Sequence, residues 1–275
     1  MVLTAMRCFS FALVLLGVSV GLHAADELRP ASVDEIALFK DAMANSRQDT
    51  EHWAYTETTT IKASKGRPRG DTVVRFDPSK PYSEQFTPLK VDGKPPSEKK
   101  LMEYRKRGEK RGEKVARAAE AARNLGSEPP QVRINGNKAT VDLEHPMVAR
   151  DEADRVTFEL AILGHSKDVP VEKFQFQIQI GKRSRQVEKA LLRVRESFRV
   201  KLVAKVKAGE ASVEFTTVDP NFGPLITSMT GNFGVSLLFI PVNATFANTR
   251  TEWRRVKAYD ERLQVKLGPL QLLDF

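Results

Sequence analysis

Few residues in this 275-residue chain are of types that could do covalent chemistry. Gly164-His165-Ser166-Lys167-Asp168 holds a histidine, a serine and an aspartate within five positions, the types a hydrolase uses as base, nucleophile and orienter. Neighbours on one loop cannot be presented in line, and the chain has no Gly-x-Ser-x-Gly elbow. His52, His145 and His165 are far apart, lack metal-ligand spacing and have no cysteine beside them, so they do not describe a zinc site. Gly181-Lys182 lacks the preceding glycine of a phosphate loop and falls in a turn between strands. No Gly-x-Gly-x-x-Gly occurs, which excludes the common dinucleotide chemistry. Asn243-Ala244-Thr245 is a glycosylation acceptor in form, relevant only in a glycosylating secretory pathway. The expectation is a binding protein with no catalytic residues, no metal and no cofactor.

Binding by burial is the chemistry that remains. Even positions from Phe174 to Val206 are apolar: Phe174, Phe176, Ile178 and Ile180, then, after a Gly181-Lys182-Arg183-Ser184 turn, Ala190, Leu192, Val194, Phe198, Val200, Leu202, Ala204 and Val206. The odd positions of the second run are mostly cations, Lys189, Arg193, Arg195, Arg199, Lys201 and Lys205. Strict alternation predicts antiparallel strands with one dry and one wet face. A single strand over residues 189 to 207 would span roughly 60 Å, so a sharp bend or a hidden turn is expected near Glu196-Ser197. A second apolar stretch, Asn221 to Gly234, mixes Phe222, Ile226, Met229 and Phe233 with Pro224 and three glycines, and reads as a loop. The expected ligand site is a hydrophobic cavity. Phe174, Phe176, Ile178, Leu192, Val194, Phe198, Val200 and Leu202 would form its wall, and Phe222, Ile226, Met229 and Phe233 its lid or mouth.

Charge and leader bound the partners. Arg7, the apolar run Phe9 to Leu22 and His23-Ala24-Ala25 have the form of a secretory signal cleaved near Ala24. Cys8, the one cysteine, lies inside it. The net charge of +9 in an exported protein points away from nucleic acid and toward anionic envelope partners such as lipid headgroups or acidic proteins. Much of that charge lies in Ser97 to Arg123, where nine Lys or Arg fall between Lys99 and Arg117. Arg105, Lys106, Arg107, Lys110, Arg111 and Lys114, with Arg199 and Lys201 of the sheet, make the expected basic surface. The segment is helical by propensity, but it has little apolar area, and Gly108 and Gly112 weaken it, so a mobile exposed helix is expected.

The other elements must position these residues. Ser32 to Ser46 has the cap and partial apolar stripe of a helix lying on a sheet. Strands are expected at His52 to Ile61, Thr72 to Phe76, Glu84 to Val91, Val156 to Ile162, around Val213, Val235 to Ile240, and Glu252 to Tyr259. Turns are marked by Lys65 to Gly70, Asp77-Pro78-Ser79 and Asp92-Gly93, and a hairpin by Asn135-Gly136. The fold class is mainly antiparallel β in one domain, residues 25–275: a curved sheet or unclosed half-barrel with covering helices, plus the long basic helix.

This order of elements, with the Trp53-Ala54-Tyr55 strand, the Asp77-Pro78-Ser79 and Asp92-Gly93 turns and a closing strand at Trp253 to Tyr259, resembles the lipoprotein-localisation carriers of the LolA and LolB kind. The resemblance implies an unclosed barrel with helices over its mouth and a cavity for acyl chains, with a lipid, acyl chain or lipoprotein as partner. Two other readings remain open: an interaction module whose basic surface meets an acidic envelope partner, and an outer-membrane barrel, for which the terminal Phe275 and the alternating strands would speak.

N-terminal sequencing of the exported protein should find a start near Ala25; an intact Met1 would contradict the reading of the leader.

Overall fold

The computed structural model describes residues 28–46, 49–63, 70–124, 131–134, 137–164, 170–200, 204–237 and 240–262. The leader with Cys8, the loop at 64–69, the Asn135-Gly136 turn, the His165 loop, Lys201, Leu202 and Phe275 lie outside them. In chain order the elements are β1 (Arg29–Pro30), α1 (Val33–Asn45), β2 (Trp53–Ala63), β3 (Thr72–Phe76), β4 (Phe86–Val91), α2 (Glu98–Asn124), β5 (Gln131–Ile134), β6 (Asn137–Val141), β7 (Met147–Asp151), β8 (Arg155–Leu160) and β9 (Ile162–Leu163). There follow β10 (Phe174–Gly181), β11 (Gln186–Val194), β12 (Phe198–Val200), β13 (Ala204–Thr216), β14 (Leu225–Leu237), β15 (Ile240–Arg255) and α3 (Tyr259–Arg262).

Twelve of the described strands form one curved, unclosed antiparallel sheet in the order β1-β7-β8-β10-β11-β13-β14-β15-β2-β3-β4, with β12 beside β13. β5, β6 and β9 make a small second sheet. Paired residues share a face of a sheet. The row Ile178, Ala190, Val213, Met229, Asn248, Thr59, Thr72 crosses seven strands through direct partners. A parallel row runs Leu160, Phe176, Leu192, Ala211, Gly231, Phe246, Ile61. The alternation read from Phe174 onward is therefore one face of a much larger surface.

One expectation about connection holds and another is corrected. As expected, the run from 189 to 207 is not one strand: β11 stops at Val194, β12 resumes at Phe198 after the break at Glu196-Ser197, and β12 pairs back on β13, Phe198 with Val206 and Val200 with Ala204. The chain thus reverses between Val200 and Ala204, beyond the break at Glu196-Ser197. Nor is Asn221 to Gly234 a loop. From Leu225 onward it is strand β14, paired on both sides, with β13 and β15. Gly231 is there for an aromatic ring: a Cβ on it would lie 2.2 Å from Phe246 Cε1, so only glycine lets that ring lie flat on the strand. The expected strand at Glu252 to Tyr259 is the end of β15 followed by α3.

Helix α1 forms where a capping box closes its first turn. Ser32 Oγ accepts from Glu35 N, and the Glu35 carboxylate accepts from Ser32 N at 2.8 Å. The Arg29 guanidinium, 2.6 Å from Glu35, holds that carboxyl down at a pKa of about 2. Leu38, Phe39 and Ala42 are buried with Val148, Val156, Phe158, Leu160, Ile178, Ile180 and Val187, and Phe39 meets Phe158 edge-on at 5.3 Å. Burying side chains of this kind stabilises by about 1.5–3 kcal/mol each.

Helix α2 is held differently, and it is not the undocked arm that its composition suggests. Gly108 is buried. A Cβ on Gly108 would lie 1.9 Å from Tyr82 O, and one on Gly112 would lie 2.8 Å from Tyr82 Cγ. The two glycines admit Tyr82 against the helix backbone. Tyr82 is itself fixed: burial first, and its hydrogen bond to Asp260 second, push its pKa up to about 12. Glu113 pairs with Arg117 at 3.7 Å and Lys100 with Glu103 at 2.6 Å.

At the chain's other end, His52 lies between Asp49, which its Nδ1 contacts closely, and Glu261, 2.7 Å from Nε2. Those bonds, Asp49 first, raise the His52 pKa above its ordinary value.

Two outcomes follow. Gly108→Ala should destabilise the protein by about 1–3 kcal/mol in urea melts through overpacking, although alanine favours an isolated helix by about 1 kcal/mol; a more stable variant would show that Tyr82 does not seat there. A raised His52 pKa gives stability that is complete below the unfolded value near 6.5 and is lost as pH climbs through the folded one. The melting-temperature gap between wild type and His52→Gln should therefore narrow as pH rises above about 6.5, and a gap that widened would contradict the clamp.

Candidate functional site

The face defined by the two rows carries a helix at each end. α1 covers Phe158, Ile178 and Ile180. At the other end Phe86, paired with Phe76, which is paired with Tyr55, lies under α2. Between them the face is open. Phe233 is 39% exposed and Ile61 41%, and Phe233 stacks on Phe246 with ring centroids 6.2 Å apart and planes 10° apart. Val194 and Gly209 back Phe233 from the α1 side.

The expected wall residues are therefore distributed unevenly. Ile178 and Phe198 are buried, Ile178 as part of the core under α1 and Phe198 edge-on to Phe174 at 5.4 Å. Phe174, Phe176, Leu192 and Val194 are half-buried on the same face. Met229, Ile226 and Phe233 share that face too, as strand residues of β14 and not as a lid. Ile226 pairs with Phe215, which packs on the α1 core. Phe222 is elsewhere: it precedes β14 and packs on Trp53, with centroids 5.8 Å apart, under the Arg255 guanidinium at 3.6 Å.

Composition gave no sign of the aromatic row along the α2 end. Phe86, Phe76, Tyr55, Trp253, Trp53 and Phe222 follow one another at 5.0, 5.1, 4.8, 6.3 and 5.8 Å. Trp253 enters this row because β15 bulges between Thr251 and Arg254, with Glu252 at φ 54°. Guanidinium groups lie over the rings: Arg107 over Phe86 at 4.3 Å, Arg111 over Phe76 at 5.1 Å, Arg250 over Tyr55 at 4.8 Å. Burial leads the causes that raise the Tyr55 pKa. Two buried polar atoms beside this surface, Trp53 Nε1 and Asn248 Oδ1, have no hydrogen-bond partner among the described residues.

The expected basic surface also divides. The sheet's cations are neutralised across strands: Arg193 pairs with Glu210 at 2.7 Å, Lys189 with Glu214 at 3.7 Å, and Arg195 with Glu159. Arg199 is exposed and opposite Lys205. On α2, Arg107 is stacked, and Arg111 donates to Gln85 at 2.6 Å and pairs with Glu51. Arg105 is exposed. Lys106, Lys110 and Lys114 form no ion pair among the described residues. They line, with Arg107, Arg111 and Phe86, a groove of about 570 Å³.

The opposite face of the sheet is wet. Thr58, Thr230, Asn232, Thr245 and Thr249 are exposed there, and Glu159 takes hydrogen bonds from Gln175 at 2.5 Å and Gln177 at 3.2 Å. No helix among the described residues is long and apolar enough to cross a membrane.

The chain matches no known family profile and no curated protein sequence. Two solved structures are similar to it. One is a LolA-superfamily protein from Nitrosomonas europaea, 10% identical, covering 84% of this chain and 96% of its own, with a TM-score of 0.34. The other is MucB in complex with MucA(peri), 10% identical, covering 82% and 100%, with a TM-score of 0.13. Both likenesses are distant.

Proposed function

We propose that the protein is an exported, non-catalytic carrier that holds the acyl chain of a lipid or lipoprotein on the sheet face shared by α1 and α2. The observation that supports this reading is the open apolar strip of Phe233, Phe246 and Ile61. Two of its three large side chains are about two-fifths exposed, on the one face that both helices otherwise cover. Large apolar side chains left contiguous on a surface mark a place where something binds. An acyl chain suits the strip because it is linear, needs no polar partner, and gains about 0.8 kcal/mol per buried CH₂. Eight to ten methylenes would gain about 6–8 kcal/mol before the costs of association. Export rests on the leader-like segment before Ala25.

The test is displacement of an uncharged fluorescent acyl probe. Wild type should bind it, and Phe233→Asp or Ile61→Asp should weaken binding more than tenfold by placing a charge against the chain. Melting should be little changed, since both side chains are already well exposed. Thr245→Asp on the opposite face should leave binding intact. Failure of the wild type to bind any acyl probe would contradict the carrier reading.

A further inference from the structure

We infer that the acyl ligand is an anionic amphiphile, and that its negatively charged headgroup sits in the groove between α2 and Phe86. This rests on the carrier reading and adds the class of headgroup. Lys106, Lys110 and Lys114 stand at i, i+4 and i+8 on one flank of α2, a spacing at which like charges oppose each other and work against the helix. Other cations near this face are answered: Arg185 by Asp41 at 2.5 Å, Arg29 by Glu35 at 2.6 Å, Arg250 by Glu57 at 3.3 Å. The three lysines have no carboxylate partner among the described residues. Glu103, the one acid on the groove, lies 2.6 Å from Lys100.

The groove is built as well as charged. Arg107 and Arg111 are held on ring faces, Arg111 also by Gln85, so two guanidinium groups are fixed in its wall while the three ammonium groups extend along it. Phe86 gives it an apolar floor. It joins the sheet face directly: a second depression of about 210 Å³ shares Glu103 and Arg107 with it and is lined by Thr72 and Val91. Thr72 pairs with Thr59, two positions from Ile61 on the same strand face. From Phe233 on β14 to Phe86 on β4 is four strand spacings across the sheet, about 19 Å, and about 27 Å along it, because Phe233 is in register with Ala63 and Phe86 with Tyr55. The diagonal is about 33 Å, so a long-chain lipid lying over Phe233, Phe246 and Ile61 and running past Thr59 and Thr72 brings its head toward the lysines. Salt-screened attraction of this kind selects a headgroup by charge.

The experiment compares lysophosphatidylglycerol with lysophosphatidylcholine of the same chain length as competitors of the uncharged acyl probe. Both are used below their micelle concentrations. Wild type should bind the anionic lipid at least tenfold more tightly at low salt, with the preference fading as salt is added. Lys106→Gln/Lys110→Gln/Lys114→Gln should lose the preference while keeping its affinity for lysophosphatidylcholine, and Lys110→Glu should reduce the preference in a protein whose melting is unchanged. Inorganic phosphate alone should not displace the probe; if it competes as well as the anionic lipid, the site is one for free anions and the inference is overturned. Equal affinity for the two lipids overturns the headgroup assignment and leaves the acyl strip standing. Binding of neither lipid, with none of the probe, overturns the carrier reading and this inference with it. A salt-sensitive acidic protein partner captured by wild type and lost by the triple variant, with no lipid preference, overturns it in favour of a protein interface.

Discussion

The register of seven consecutive strands is the constraint on which the rest of the molecule depends. From Ile178 to Thr72, partners face one another through β10, β11, β13, β14, β15, β2 and β3. Because side chains alternate with a period of two, that single row decides which residues share a surface. A slip of one position in β14 would turn Phe233 to the threonine face and bring Thr230 and Asn232 round in its place. The bulges lie to either side of the row, at Gln179/Ile180, Val206/Ala208, Glu214/Phe215 and Thr251/Arg254, where they bend the sheet without changing the parity of this row.

Two helices attach to this face by unlike chemistry. α1 presents Leu38, Phe39 and Ala42 and buries them against β8 and β10. α2 has almost no apolar stripe, and it attaches where Gly108 and Gly112 admit Tyr82 and where Arg107 and Arg111 lie on Phe86 and Phe76. Stacked guanidinium groups cover rings while keeping charge near solvent. The consequence is an asymmetric surface: dry and closed beneath α1, cationic and grooved beneath α2, and apolar and open between them at Phe233, Phe246 and Ile61. The function argued for this protein follows from that gradient.

Local patterns in the sequence carried much of the fold. The alternation of Phe174 to Ile180, the Ser32 cap of α1, Thr72 to Phe76 as a strand, and Asp92-Gly93, where both residues take positive φ, each depend on neighbours a few positions away. What was not legible depended on partners far along the chain. Gly231 and Gly234 resemble turn signals until Phe246 is seen lying on Gly231. Gly108 and Gly112 resemble weak points in a helix until Tyr82 is seen against them. Lys189 and Arg193 look like free cations until β13 brings Glu214 and Glu210 opposite. The aromatic row from Phe86 to Phe222 draws on β2, β3, β4, β15 and the segment before β14, and no window of sequence contains it. Among the candidate site residues, Met229 and Phe233 share the predicted face because of strand pairing, whereas Phe222, next to them in sequence, serves the far end of the sheet.

The central claim is that a linear apolar ligand lies on the strip between the two helices. A fatty acid bearing a photoreactive diazirine along its chain, bound to the intact protein, irradiated and mapped by mass spectrometry, tests it most directly. The account predicts adducts at Phe233, Phe246 and Ile61, with labels nearer the carboxylate moving toward Phe86 and Lys110. Adducts on Thr58, Thr230 or Thr249 of the opposite face, or labelling spread evenly over the surface, would contradict it.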